Sequence, residues 1–550
     1  MKSTYCLLEH FRRYNFLSLD LRGEIPEVEE KGLLPFFGRG RKLTFGEIEK
    51  ILSYAERSDG VTGVIVAIRE LRIGPARANS IRRRLLGLRR NGKRVFVYLE
   101  SGGNIEYLIA SAGDYICMPP WAMLNLVGLG AEVTFFKDLL EKLGISARLR
   151  GYGEYKSAAE TFTRDSMSQA HREMVFSIIG DLETRFEEAV SEGRGLNPAD
   201  MKAVIDRGPF VPESALAEGL IDGTAYESEI EDRAREVTGV KVKSISAPHF
   251  HRILKIKEWL KSVAGKMGGS GGVIAVVADS GFITLGDSGG RGAMKTMGSD
   301  SVLAQLDRVS KDRGVKGLVF RIMTPGGSGT ASDLIRKRLK EISETIPVVV
   351  SMSDVSASGG YLISLGAGKI VADPMTLTGS IGVVSGKFEL GGLYQKLGIK
   401  KELIPFGKQS LMFSTSRGFS EEEEAKLDEL MKYYYGEFVR TVSEGRGLNE
   451  AQAEKAAKGR VWTGAQARDL GLVDELGGFW DAVNIAGREA GLPEDKILLL
   501  RFYPAVRGIK LASIFGDAGY SDFLRVLTEN SPLPGCEGCL AVMPFHIRVK

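Results

Sequence analysis

The sequence predicts an α/β fold made of two tandem homologous domains, each built from parallel βαβ units. Three observations carry that prediction. A chain of 550 residues is too long for one hydrophobic core. Its second half repeats its first. Within each half, strand-like runs alternate with helix-like ones, the pattern of parallel sheets. The repeat is explicit: GVTGVIVAI (60–68) returns as GVKGLVFRI (314–322), an offset of 254, and Tyr107-Leu-Ile returns as Tyr361-Leu-Ile at the same offset. After a two-residue slip, SEGRGLN (191–197) returns at 443–449, and AEGLID (217–222) matches RDLGLVD (468–474) with Gly219 and Gly471 in register.

The first half opens on the strand-like FLSLDLRGEI (16–25). A helix, the VIVAI strand, a second helix and VFVYL (95–99) follow. The second half opens on GVIAVVADSGFI (272–283) and runs the same course to IPVVV (346–350), a β-branched run that reads as a buried strand. The expected organisation is a first domain over 1–248, an amphipathic segment and linker over 249–271, and a second domain over 272–550. The linker lies in the glycine-rich GKMGGSGG (265–272). Before it, HFHRILKIKEWLKSVAGK (249–266) sets Ile253, Leu254, Ile256, Trp259 and Leu260 among lysines. Such a helix packs on the other domain or makes peripheral contact with a membrane surface. LGDSGGRGAMKTMGSD (285–300) reads as a mobile loop, and the closing LAVMPFHIRVK as a final strand.

Composition narrows the function. The chain is 43% apolar and 26% charged, and its net charge of +4 gives no sign of a nucleic-acid partner. Four cysteines (Cys6, Cys117, Cys536, Cys539) do not make a disulfide framework, and Cys536-x-x-Cys539 lacks the second pair or nearby histidines of a zinc site. It reads as a redox pair or as two incidental thiols. The five histidines (His10, His171, His249, His251, His546) are scattered, which weighs against a histidine-based triad and against a histidine-rich metal site. No apolar run reaches the roughly 18 residues of a membrane span, and MKSTYCLLEHFRRYN is charged too early for a signal peptide.

The chemistry gathers in SMSDVSASGGYLISLGAGKIVADPMTLTGSIGVV (351–384). Ser358 precedes Gly359-Gly360 at a strand-to-helix junction, where a hydroxyl points into a cleft and glycines let a substrate backbone approach. The N–H after the serine meets a developing oxyanion. Upstream, RIMTPGGSGTASD (321–333) offers a second glycine turn at Pro325-Gly326-Gly327, and two such turns can supply two donors. A serine needs a base. With no placed histidine, a buried lysine, neutral through desolvation, is the candidate. Lys156 in RGYGEYKSAAETFTRDSMS (150–168) and Lys408 in PFGKQSLMFSTSR (405–417) occupy matching positions of the repeat. The first half has Asn104 opposite Ser358, Gly128 opposite Ser380, and RIGPAR (72–77) in place of the PGG turn, so only the second half keeps the serine.

The ordered set GEYKSA, PGG, SASGGY and TGSIG resembles the long tandem-domain form of the signal peptide peptidase A (protease IV) family, over nearly the whole chain. The resemblance implies the Clp/crotonase superfold and a serine endopeptidase with a Ser/Lys dyad that needs neither cofactor nor metal. It assigns Ser358 as nucleophile, Lys156 as general base, the backbone N–H groups of Gly327 and Gly359 as oxyanion donors, and Ser380 as the group that orients the lysine. Lys408 is the alternative base, which would make the second half self-sufficient. The resemblance further implies a bowl-like homotetramer, a membrane-associated location, and cleaved signal peptides and other apolar peptides as substrates. With no anchor visible in the sequence, a cytoplasmic location stays open. Two other readings stand beside it: a crotonase-type acyl-CoA enzyme and a non-catalytic scaffold of the same fold.

Overall fold

Each half builds a largely parallel sheet, and six strands of the second sheet match the six of the first. The computed structural model describes residues 14–27, 42–265, 272–290, 294–493, 498–503 and 540–542, with side chains of the helix Ala247–Gly265 described as far as Ile256. In the first half the order is Gly223–Thr224, Tyr115–Met118, Arg94–Leu99, Gly63–Leu71, Phe16–Gly23 and Ser244–Ser246, all parallel. The second half runs Glu475–Leu476, Lys369–Ala372, Val348–Ala357, Val315–Thr324, Val273–Ser280 and Leu499–Tyr503, again all parallel. Leu377–Gly379 joins Val348–Ala357 in parallel and Val461–Thr463 pairs antiparallel to Leu377–Gly379. Helices cover these strands, so they are apolar on both faces, as in the buried run Gly63–Ile68.

The sequence repeats have a structural cause. Arg194 of the first SEGRGLN donates to Asp222 (Nη2 to Oδ1, 2.8 Å), whose other oxygen accepts the Ile116 N–H. Arg446 and Asp474 repeat this at 2.9 Å, with Asp474 accepting from Ile370. The paired tyrosines do likewise: Tyr107 donates to the Leu220 carbonyl (2.6 Å) and Tyr361 to the Leu472 carbonyl (2.9 Å).

The halves share a core. Helix Phe479–Glu489 of the second half lies against helix Phe45–Arg57 of the first. Phe45, Ile48 and Leu52 belong to one buried cluster with Phe479, Trp480, Val483, Val319 and Val349. Burying each large apolar side chain of this kind contributes roughly 1.5–3 kcal/mol. A polar clamp crosses the same interface. At the start of helix Pro75–Arg90, the N–H groups of Gly74 and Arg77 donate to the Asp354 carboxylate, and Arg77 Nε reaches it at 2.5 Å. Arg321 donates to Glu27 (Nη2 to Oε1, 3.0 Å) and Ser353 also bonds that carboxylate. Burial alone would raise the Glu27 carboxyl, but Arg321 and Arg77 outweigh it and hold it below its ordinary value. Asp354 stands four residues before Ser358 in the strand that delivers it, so the clamp fixes that strand to the first half.

A third sheet joins the parts. Its order is Thr296–Gly298, Phe282–Thr284, Gly326–Ser328, Leu540–Val542, Val383–Glu389 and Ser146–Tyr152. The last two pair antiparallel over seven residues, a first-half strand on a second-half strand.

The described part of helix Ala247–Gly265 buries Phe250, Ile253 and Leu254 in the first-half core, so its apolar face packs on protein; the Trp259 and Leu260 side chains lie outside the described residues. The stretch 285–300, expected as a mobile loop, instead contains strand Thr296–Gly298, with Met297 fully buried, leading into helix Ser299–Lys311. Cys117 is buried and free. Cys6, Cys536, Cys539, His10 and His546 lie outside the described residues. Among the described residues, no helix is long and apolar enough to cross a membrane.

Removing one partner of a buried ion pair leaves an uncompensated charge, a loss of about 3–5 kcal/mol. Arg77→Ala strands Asp354 in this way, and equilibrium denaturation of the variant is expected to show a loss of that size. A midpoint equal to wild type would refute the clamp.

Candidate active site

Ser358 sits where strand Val348–Ala357 turns into helix Gly359–Ser364, with φ 56° and ψ −111°. A non-glycine residue in such a region carries about 1–3 kcal/mol of strain. Its own N–H donates to the Gly379 carbonyl (2.7 Å) and its carbonyl accepts from Leu362 (2.9 Å), which holds the turn. The glycines after it are required by close approach. A methyl on Gly359 would stand 2.6 Å from Ser332 Oγ and 3.4 Å from the Gly327 nitrogen, and one on Gly360 2.5 Å from Thr324 Cγ2. The SGG and PGG turns therefore lie against each other. Gly326 (φ 115°) and Gly327 (φ 155°) need the glycine backbone as well as the space.

Lys156 follows strand Ser146–Tyr152 and enters the second half from the first. Its Nζ lies 2.8 Å from Ser358 Oγ, 2.9 Å from Ser380 Oγ and 2.7 Å from the Ser380 carbonyl oxygen. The residue is only 4% exposed. Burial, with no charged neighbour contributing, drives the amine well below the ordinary lysine value of 10.5. Ser358 and Ser380 are fully buried. Ser380 also has a positive φ, 52°, and its N–H donates to the Arg460 carbonyl (2.7 Å). The structure thus brings Lys156, Ser358, Ser380, Gly327 and Gly359 together. Lys408 is solvent-exposed, and the hydrogen-bonding partner of the Ser358 hydroxyl is the lysine of the other half.

The sequence model of peptidase family S49 matches residues 87–241 and again 340–493. The chain belongs to peptidase family S49. It is 32% identical over 498 residues to the chloroplastic serine protease SPPA of Arabidopsis thaliana, a match covering 90% of this chain and 72% of the relative. It is 31% identical over 480 residues to protease 4 of Salmonella typhi, covering 86% and 76%. Among solved structures, ClpP1 from Listeria monocytogenes aligns at 18% identity over 38% of this chain and 94% of its own, with a TM-score of 0.23, too loose to add to what the sheet topology already shows. The S49 match falls once in each half, as the tandem repeat requires. As an S49 member the protein is a serine peptidase, and peptides are its substrates.

In this S49 chain the two halves have diverged at the site. Where the second half has Ser358 and Ser380, the first has Asn104 and Gly128, and Asn104 Nδ2 donates to the Gly128 carbonyl (2.8 Å). An amide closes on the position that a serine would use. Sequence reading missed Lys458-Gly459-Arg460. Lys458 has φ 52° and its carbonyl accepts the Tyr155 N–H (2.8 Å). Gly459 packs so closely that a methyl there would stand 2.5 Å from Lys156 Cβ. The Arg460 guanidinium lies over the rings of Tyr155 (4.7 Å) and Trp462 (4.6 Å) and reaches Glu173 at 2.6 Å. Nothing in KGR distinguishes it from an ordinary surface turn, so the sequence carried no signal for it. Of the four described non-glycine residues with positive φ, three (Ser358, Ser380 and Lys458) belong to this site.

Proposed function

We propose that the protein is an endopeptidase in which Ser358 is the nucleophile and Lys156 its general base, one from each half of the chain. The observation that carries this reading is the 2.8 Å approach of a buried lysine amine to Ser358 Oγ. A neutral amine has one lone pair and two N–H groups, and the three oxygens around Nζ suit it. The N–H groups donate to the Ser380 carbonyl and hydroxyl, and the Ser358 O–H donates to the lone pair. As Oγ attacks the scissile carbonyl, the proton passes to Nζ and then to the leaving amine. Water, deprotonated in turn by Lys156, hydrolyses the ester. The backbone N–H groups of Gly327 and Gly359 receive the oxyanion in a site shielded from water, where such donors are strongest. Ser380 orients the amine. The S49 family match weighs against the acyl-CoA reading, and the intact serine–lysine pair against a mere scaffold.

Substrates in this reading are extended peptides with small or apolar residues at the scissile bond, such as the remnants left by signal-peptide removal at a membrane. Assembly follows from the repeat. KLGI (142–145) returns as KLGI (396–399), which sets 129–135 opposite 383–389 and 400–406 opposite 146–152. Strands Val383–Glu389 and Ser146–Tyr152 pair within the chain. Their counterparts 129–135 and 400–406 carry no strand, and Ile404 and Phe406 stand 72% and 98% exposed. The 400–406 segment of one copy therefore suits the 129–135 segment of the next, a head-to-tail contact of the kind that builds rings; four subunits is the number that the resemblance to the tandem-domain family implies.

Three measurements test this. Ser358→Ala and Lys156→Ala are expected to abolish cleavage of a fluorogenic apolar peptide, by about 10⁴-fold or more, while Lys408→Ala keeps wild-type rates; the reverse ranking of the two lysines would overturn the pairing. Because burial lowers the Lys156 pKa and the neutral amine is the active form, kcat/KM should rise with pH on one deprotonation, with its midpoint well below 10.5. A profile with no ascending limb anywhere from acid to alkaline pH would exclude lysine as base. The double variant Ile404→Asp/Phe406→Asp should sediment as a monomer where wild type forms a larger species; an unchanged mass would refute the edge contact.

A further inference from the structure

The chain supplies a strand to its own substrate groove. In the third sheet, Gly326–Ser328 and Val383–Glu389 do not pair with each other; Leu540–Val542 lies between them, antiparallel to both. Strands in a sheet are about 4.8 Å apart, so these two edges are separated by the width of one strand and admit one extended segment. Both edges belong to the site. Gly327 lies against Gly359, and Val383 follows Gly382, whose carbonyl oxygen is 3.5 Å from Ser358 Oγ. The register sets Ala541 opposite Gly327 and Leu540 opposite both Ser328 and Val384. A backbone threaded between these edges runs past the serine, with the residue opposite Gly327 nearest the proposed oxyanion donor. Leu-Ala-Val, with a small residue at that register position, is also the kind of sequence the groove was argued to accept.

We infer that Leu540–Val542 is a resident pseudosubstrate: an intramolecular strand that occupies the peptide groove and must leave before another peptide enters. The inference rests on the peptidase reading for its meaning, but its occupancy part does not need activity. Strand addition gives such a segment its affinity through main-chain hydrogen bonds on both sides. Tethering supplies it at high effective concentration. An enzyme whose groove is free in only one molecule of ten shows a tenfold weaker apparent affinity for peptide, so the tail sets the basal activity. It also shows how substrates lie: antiparallel to Gly326–Ser328 on one side and to Val383–Glu389 on the other.

The test uses the full chain. Hydrogen exchange read by mass spectrometry on the Ser358→Ala protein should find the amides of 540–542 protected, with the protection lost on adding a saturating apolar peptide. Proline has no N–H and cannot join an inner ladder, so Ala541→Pro in an otherwise wild-type chain should raise kcat/KM on a small fluorogenic peptide about five- to tenfold, through KM. Unprotected amides at 540–542, or kinetics unchanged in Ala541→Pro, would overturn the proposal. Protected, peptide-displaceable amides in a wild-type chain that cleaves nothing would leave the occupancy standing and sink the peptidase reading instead.

Discussion

The amine of Lys156 has the hydroxyl of Ser358 and two oxygens of Ser380 around it, is 4% exposed, and has no charged neighbour setting its pKa. Burial alone lowers its pKa, so the rest of the molecule is answerable for that burial. A carboxylate beside the lysine would favour the ammonium, and water would do the same. Among the described residues the oxygens around the amine are those of Ser358 and Ser380, all from the other half, and no carboxylate stands beside it. The apolar core shared by Phe45, Leu52, Phe479 and Trp480, the clamp of Arg77 on Asp354, and Gly459 against Lys156 all press the halves together. Separation of the halves would expose the amine and raise its pKa.

The same requirement explains where strain is kept. Ser358, Ser380 and Lys458 hold positive φ within one small volume, and each is secured by main-chain bonds to a neighbouring segment: Ser358 to Gly379, Ser380 to Arg460, Lys458 to Tyr155. Backbone in these regions costs about 1–3 kcal/mol per residue and persists only where its surroundings over-determine it. The first half is the natural control. It has the same sheet order and the same Arg–Asp and Tyr–carbonyl ties, yet at the position matching Ser380 it has Gly128, with φ 80°, which glycine adopts without penalty. At this position the first half avoids the strain that Ser380 carries in the second.

How much of this was legible beforehand depended on whether a feature repeats. The tandem α/β architecture showed at once, because SEGRGLN and GLID recur for a physical reason: the arginine of one bonds the aspartate of the other in both halves. SASGG and PGG were readable as a nucleophile turn and a donor turn, since glycines crowded by Ser332, Thr324 and Ile283 leave a visible signature. The residues alone left the lysine as a pair of candidates, and only the family resemblance put Lys156 ahead of Lys408. Lys156 and Lys408 hold matching sequence positions, and what separates them is burial, which no local pattern encodes. Lys458 and Gly459 were invisible for the same reason: their importance lies in contact with a residue some 300 positions earlier. The short strand Thr296–Gly298 was hidden by the glycines and serines around it, although the burial of Met297 makes it part of a sheet.

The third sheet shows why the duplication was useful. The strands of each parallel sheet come from one half, but the core beneath them is shared between the halves. Gly326–Ser328 and Val383–Glu389, which flank Leu540–Val542, are both second-half strands, and Ser146–Tyr152 of the first half extends Val383–Glu389 on its other side. The strand that carries Lys156 toward Ser358 is therefore the strand that braces one wall of the groove. Lys156 and the Val383–Glu389 pairing are coupled through one backbone, so a shift that opened that pairing would withdraw the lysine as well. In a single domain those two tasks would fall to one short segment. The first half has Asn104 and Gly128 where the second has Ser358 and Ser380, and it serves as the support from which the lysine reaches across.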